Sequence, residues 1–243
     1  VPKTLARSLV FTTSAAVLIL EILAGRLLAP YLGVSLQVFT GIIGVILAGI
    51  ALGAWAGGRA ADRGDPRRLI GPLLIAGGIT AMAAPLIVDL VGPRFSVGPL
   101  SIVSITILGF FAPAAVLSAV GPVVVKVQLS SLERTGSVVG TYSAIGTAGA
   151  LFGTFLTGFV LIAAFPTRPI VIGVGLTLVL LGLTLWAGRS RWAVGTTLGA
   201  VLLMVALLVV IPGPCQYETT YHCAVVSVDP ARATGRLLIL DAA

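Results

Sequence analysis

The sequence is poor in charge. Its 243 residues carry eight acidic and fifteen basic side chains, and charged residues make up 9% of the chain, against roughly 25% in an ordinary soluble domain. So few polar groups cannot cover a water-exposed surface, which excludes a soluble globular fold. Histidine occurs once and cysteine twice, so the chain offers no convincing zinc ligand set and no metal site is expected. No GxGxxG, P-loop or Ser–His–Asp order is present, which leaves no phosphate cradle and no nucleophilic triad.

What is present is apolar. Hydrophobic residues are 58% of the chain and the mean hydropathy is +1.13. Apolar runs cover about residues 8–30, 35–57, 69–91, 99–125, 136–164, 169–187 and 192–212. Each is close to or above the roughly 20 residues that cross about 30 Å of hydrocarbon. Thirty glycines fit as well, because glycine is commoner in membrane helices than in soluble ones. The expectation is an all-α polytopic membrane protein, with about seven transmembrane helices forming a bundle over residues 1–212 and the lipid bilayer as its partner. The N-terminus starts like a signal peptide, with Lys3 and Arg7 before an apolar run. The run is too long, and Glu21 to Arg26 occupies the place of a small-residue cleavage site, so it reads as an uncleaved first span.

The net charge of +7 does not point to nucleic acid. The basic residues fall between the apolar runs and form no patch. Lys3, Arg7, Arg59, Arg63, Arg67, Arg68, Lys126, Arg134, Arg189 and Arg191 lie at one set of span ends, and Arg26, Arg94 and Arg168 at the other. Ten against three is a strong positive-inside bias. It places the N-terminus in the cytoplasm of a plasma-membrane protein and, with an odd number of spans, residues 213–243 outside.

Within the spans a few residues stand out. Gly49, Gly53 and Gly57 recur every fourth position in the second run, and Gly149 and Gly153 do so in the fifth. Residues four apart share a helix face, and small ones let two backbones approach. These stripes read as bundle packing, or more sharply as a sliding transport interface. Glu21 lies near the middle of the first span. A carboxylate there is costly and suggests a function. It is read either as a hydrogen-bonded packing residue or as a binding group for an amine, a polyamine or another small cation. Arg26 lies about 140° around the helix from it and reads as snorkelling to the interface. Asp89 reads as an ordinary span-end residue. Pro113 and Pro122 interrupt the fourth span, where neighbours must satisfy the freed carbonyls.

The loop at 58–68, GRAADRGDPRR, resembles the motif between the second and third spans of major facilitator transporters, through Gly58, Asp62, Arg63, Arg67 and Arg68. That resemblance implies a carboxylate at Asp62 receiving the start of a helix and Arg63 pairing with a carboxylate. It also supports an alternative function, transport of a cationic or polyamine-like solute.

After the last run the chain changes character. CQYETTYHCAVVSVD and RLLILD are rich in β-branched, aromatic and aliphatic residues, with PARATG between them. This reads as a two-stranded β-hairpin over 213–243. Two strands alone are marginal in water, so the tail is expected to open a further domain. Cys215 and Cys223 both fall on the side where disulfides persist. Eight positions of straight strand span about 26 Å, whereas a disulfide needs Cα atoms about 4.4–6.8 Å apart. A bond therefore requires the chain to fold back near Glu218 to Thr220. The alternative is two free or differently paired thiols.

ETTYHCAVVSVD and GRLLILDAA resemble the first strands of the small β-domain of spermidine synthases. EILAGRLLAPYLG, the glycine run with its ADR, and GTYSAIGTAGALFGTFLTGF resemble the membrane part of fused, membrane-domain spermidine synthase-like proteins. The resemblance implies that the chain is the membrane anchor of an aminopropyltransferase-like protein, ending at the start of its synthase domain. It implies decarboxylated S-adenosylmethionine as the cosubstrate of the missing domain and no cofactor in this chain. The donor-binding Gln of that family would follow the Leu-Asp, and Ala242 stands where its Gly is usual. No catalytic residue carries over, and residues 1–243 alone are expected to be inactive. The donor is cytoplasmic whereas the tail is expected outside. Either the span count is off by one or the outer domain uses a different donor.

Overall fold

The computed structural model describes residues 2–129, 135–186, 191–219, 222–228 and 236–240. Six helices are long and apolar enough to cross a membrane: α1 Lys3–Leu32, α2 Leu36–Arg63, α3 Arg67–Val91, α4 Pro99–Gln128, α5 Thr135–Ala164 and α6 Thr167–Trp186. A further apolar helix, α7 Arg191–Val210, follows. The apolar runs locate all seven, but the helices outlast them. α2 continues past Gly57 because no Gly or Pro interrupts RAADR until Gly64 and because Ala61 is buried. Gly58, Asp62 and Arg63 are therefore helical, and only residues 64–66 separate α2 from α3, where Arg67 and Arg68 form the first turn. The long basic loop expected at 58–68 is corrected to this tight turn.

The interhelical contacts have an internal symmetry. α1 packs along α5, α2 along α4, and α3 along α6. Exchanging α1–α3 with α4–α6 in order maps the first contact onto the second and the third onto itself. Glycines sit at each contact. A Cβ on Gly53 would strike the Ala115 carbonyl, and one on Gly57 would lie 2.5 Å from that of Ala119. A Cβ on Gly149 would strike the Phe11 carbonyl, and one on Gly153 would lie 2.5 Å from that of Ala15. Gly71 and Gly78 meet Gly182 and Gly175 in the same backbone-to-backbone manner. Phe11 and Ala115, Ala15 and Ala119, Gly71 and Gly175, and Gly78 and Gly182 are all separated by the same number of positions. α1 starts at the end of the bundle that carries the short basic turn, and α4 starts at the opposite end, so the two three-helix units are inverted.

Burial is uneven. The core centres on α1, with Leu9, Leu23 and Leu28, and on Leu74, Ile105 and Leu117. α2 and α5 expose Leu47, Leu52, Phe152, Phe155 and Phe159. Soluble monomers rarely expose contiguous apolar area on this scale. Inside α4 and α5 one turn is a π-helix, at Ile107–Phe111 and Thr157–Leu161. In α4 this wide turn ends two residues before Pro113, where the helix must already give up a backbone donor.

The tail forms a three-stranded antiparallel sheet of β1 Tyr217–Glu218, β2 Cys223–Val228 and β3 Arg236–Leu240, in the order β1-β2-β3. The β2–β3 pair runs from Ala224 opposite Leu240 to Val228 opposite Arg236. The expected two-strand hairpin is thus extended by β1. The segment read as one strand from Glu218 reverses between Thr219 and His222, where Thr219 N–H donates to the His222 carbonyl at 2.9 Å. The expected turn PARATG, as well as Arg134 and Arg189, lies outside the described residues.

Candidate functional site: the cleft between the repeats and the clamp on the tail

Two cavities lie between α1, α2, α4 and α5. The deeper holds about 280 Å³ and is lined by Val17, Leu18, Ile50, Leu117, Ser118 and Thr147, among others. The second holds about 500 Å³ and reaches Asp62, Lys126, Tyr142 and Ser143 at the basic-turn end. Ser14, Gly121 and Gly146 line both, so together they make one cleft, open at that end and set between the two repeats. Gly146 keeps it open, since a Cβ there would lie 3.2 Å from the Ser14 hydroxyl. Asp62 and Lys126 form an ion pair of 2.7 Å across its mouth.

Hydroxyls bonded to their own helix occur both in the cleft, at Thr13, and elsewhere. Thr13, Thr80, Thr106, Thr154 and Thr157 each donate back to a carbonyl three or four residues earlier, the usual way to satisfy a hydroxyl in a helix. Among the described residues Ser14, Ser118, Ser143 and Thr147 make no such bond. Glu21 likewise has no hydrogen bond or ion pair there and is half-buried. Val10, Ser14, Val17 and Glu21 follow the 4-3-4 spacing of one helix face; Val10, Ser14 and Val17 line the cleft, whereas Glu21, one turn beyond Val17, lies outside its lining.

The opposite end of the bundle is closed by charge. Oε1 of Glu218 accepts from Arg26 at 3.2 Å, from the Thr167 backbone N–H at 3.0 Å, and from the Thr167 hydroxyl. Thr167 is the first residue of α6, so a tail carboxylate satisfies the free donors and the positive end of that helix. Arg26 also donates to the Thr219 carbonyl at 2.5 Å. Beside it Arg168 pairs with Asp89 at 2.5 Å and donates to the Leu208 and Ile211 carbonyls, and Tyr31 donates to Asp89 at 3.1 Å. The side chains of Arg168 and Asp89 are only 16% and 12% exposed. Cys215 and Cys223 are disulfide-bonded with Cα atoms 5.2 Å apart, which fixes the turn that carries Glu218. The clamp ties α1 and α3 of one repeat to α6 of the other, and both to the tail.

Of the residues singled out in the sequence, Gly49, Gly53 and Gly57 lie against α4, and Gly149 and Gly153 against α1. Asp62 pairs with Lys126, and the helix-start role falls to Asp65, which accepts from the Arg67 N–H at 3.1 Å and pairs with Arg68 at 3.3 Å. Among the described residues Arg63 pairs with no carboxylate. Arg26 reaches the tail sheet instead of snorkelling, and Asp89 is an ion-pair partner in the clamp, not an ordinary helix-end residue. Neither Arg168–Asp89 nor the Glu218 cap was expected. Their signal was the trio Arg26, Arg94 and Arg168, the exceptions to the charge bias: two of the three are held by carboxylates. Among the described residues no three His, Cys, Asp or Glu side chains gather as a metal-ligand set. Comparison with protein families, curated proteins and solved structures finds no match.

Proposed function

We propose that this chain is an integral membrane protein of seven spans, α1 to α7, whose bundle anchors and orients a spermidine synthase-like domain that opens with β1–β3. The observation that carries this reading is the clamp. A passive tether would leave the sheet free, whereas here Arg26 and Thr167 hold its first turn to two helices through Glu218, and the Cys215–Cys223 bond closes that turn on itself. Support for the domain comes from the likeness of ETTYHCAVVSVD and GRLLILDAA to the first strands of spermidine synthases. Support for insertion comes from six apolar helices of membrane length and from their exposed Leu, Phe and Val. α7 extends the bundle as a seventh span of 20 residues, about 30 Å of helix. The basic turn then lies in the cytoplasm and the tail outside, in the plasma membrane.

Aminopropyl transfer to a diamine in opened membranes, which admit both cytoplasmic decarboxylated S-adenosylmethionine and other donors to the outer face where the tail is placed, tests the assignment. Membranes carrying the product of the whole gene are expected to form the alkylated amine, and purified residues 1–243 are not, because positioning donor and acceptor supplies much of such a rate. Turnover by residues 1–243 alone, or none by the whole product with any diamine, overturns the reading.

A further inference from the structure

A further opening lies on the flank of the bundle, between α1, α5 and α6. We infer that this groove is a binding site for one alkyl chain of a phospholipid from the leaflet on the tail side. The inference rests on the membrane insertion proposed above and is independent of the tail domain.

The groove holds about 560 Å³. Phe11 and Phe152, with ring centroids 5.5 Å apart, stand at one end, and Phe165 and Pro169 at the other. Among the described residues no charged side chain lines it. Thr177 is part of the wall, and its hydroxyl donates to the Gly173 carbonyl at 2.8 Å. The wall therefore offers a ligand little but apolar surface.

The inverted repeat explains the opening. The offset that relates Phe11 to Ala115 also relates Gly173 to Leu69 and Thr177 to Leu73. In α3 both leucines pack against the core. In α6 the same two positions carry a hydrogen atom and a short side chain, and a Cβ on Gly173 would meet nothing within 4 Å. The groove thus follows from two small residues standing where the other repeat has large ones. The π-helical turn of α5 ends at Leu161, which is also a wall residue, and such turns are frequent at functional sites.

Shape selects the occupant. Residues 169–178 cover about 13 Å of helix rise, close to half of the roughly 30 Å of hydrocarbon. α6 begins at the tail end of the bundle, so this half is the leaflet on that side. A helix with its side chains is about 10 Å across, and about 560 Å³ would hold little more than one turn of it. An extended alkyl chain instead follows the whole length. Phe152, Phe165 and Gly173 are exposed, so the groove opens sideways and a chain enters it from the bilayer. Lipid tails are as apolar as these walls, so retention of the chain comes from van der Waals packing in a preformed groove.

Photolabelling tests this. The full chain is placed in nanodiscs with a phospholipid that carries a diazirine in one chain, irradiated, and mapped by peptide mass spectrometry. Adducts at residues 11–19 and 169–178 are expected in excess over those at Leu47 and Leu52 of α2, which are likewise exposed. Gly173→Leu with Thr177→Leu gives α6 the leucines of α3; it should abolish the excess and leave labelling of α2 unchanged. Gly173→Phe fills the groove from a single position and should do the same, so the test stands if the double variant does not insert. Even labelling of the groove and α2 in an inserted chain, undiminished labelling in both variants, or a cross-link from Gly173→Cys to a second copy of the chain would each overturn the groove alone. Release of the native chain from membranes by alkaline carbonate would overturn the insertion on which it rests.

Discussion

Adding one methyl group to Gly53 tests the seam between α2 and α4. The Cβ of Gly53→Ala falls on the Ala115 carbonyl, with the Ala115 carbonyl carbon 2.7 Å and its Cα 2.8 Å away. These atoms are backbone, so no rotamer change relieves the clash and the helices must separate. Overpacking of this kind costs about 1–3 kcal/mol, and lost contacts along the seam add to it. Alanine is otherwise favoured over glycine in a helix interior by roughly 0.5–1 kcal/mol. Gly140 supplies the control, since nothing lies within 4 Å of a Cβ there, and Gly140→Ala should be neutral or slightly stabilising. The repeat sharpens the test: Gly149→Ala, against the Phe11 carbonyl of α1, should cost the same as Gly53→Ala to within about 1 kcal/mol, a fraction of the overpacking cost. Unfolding in mixed micelles followed by circular dichroism gives all three values. Equal stability of Gly53→Ala and Gly140→Ala refutes the close seam, and a harmless Gly149→Ala beside a damaging Gly53→Ala refutes the symmetry.

Further outcomes follow from the clamp. Asp89→Asn leaves Arg168 buried without its counter-charge and should cost roughly 3 kcal/mol, whereas replacing both, as Asp89→Asn with Arg168→Leu, should recover part of it, read in the same unfolding assay. Glu218→Gln removes the charge shared by Arg26 and the start of α6, a contribution of roughly 1–2 kcal/mol in a partly buried setting, and amide exchange at residues 167–170 should accelerate by about tenfold. Cys215→Ser with Cys223→Ser removes a short-loop constraint worth about 2.5 kcal/mol in the chain-entropy model; trypsin should then cut the tail at Arg232 or Arg236 while leaving α1–α6 intact.

The helices were legible because apolar length is a strong signal in so uncharged a chain. Their ends were less so. α2 runs on to Arg63 because alanine continues a helix without adding much hydropathy, and a polar last turn cannot be told from a loop by composition. The glycine stripes could be read as contacts, but not which helices they joined. That pairing is visible only in three dimensions, where Gly53 and Gly57 meet Ala115 and Ala119, and Gly149 and Gly153 meet Phe11 and Ala15. The fold-back at Glu218–Thr220 followed from disulfide geometry alone, yet β1 did not, since two residues carry no periodicity. Long-range pairs such as Arg168–Asp89 and Arg26–Glu218 bridge residues far apart in sequence, and no local pattern encodes them. For Glu21 the position in a span was plain, and its place outside the cleft's lining was not.

Sidedness tests the account most directly, because the anchoring role and the side on which the tail domain lies depend on it. Gly64 lies in the turn between α2 and α3, and Val97, 61% exposed, lies between α3 and α4 at the opposite end of the bundle. Gly64→Cys and Val97→Cys, made separately, place a thiol at each end. With a membrane-impermeant maleimide on intact cells, the account predicts labelling of Val97→Cys and no labelling of Gly64→Cys until the membrane is opened. It also predicts labelling of the native Cys215–Cys223 pair only after an impermeant phosphine. Labelling of Gly64→Cys but not Val97→Cys in intact cells, or free native thiols that react only in opened cells, would contradict it.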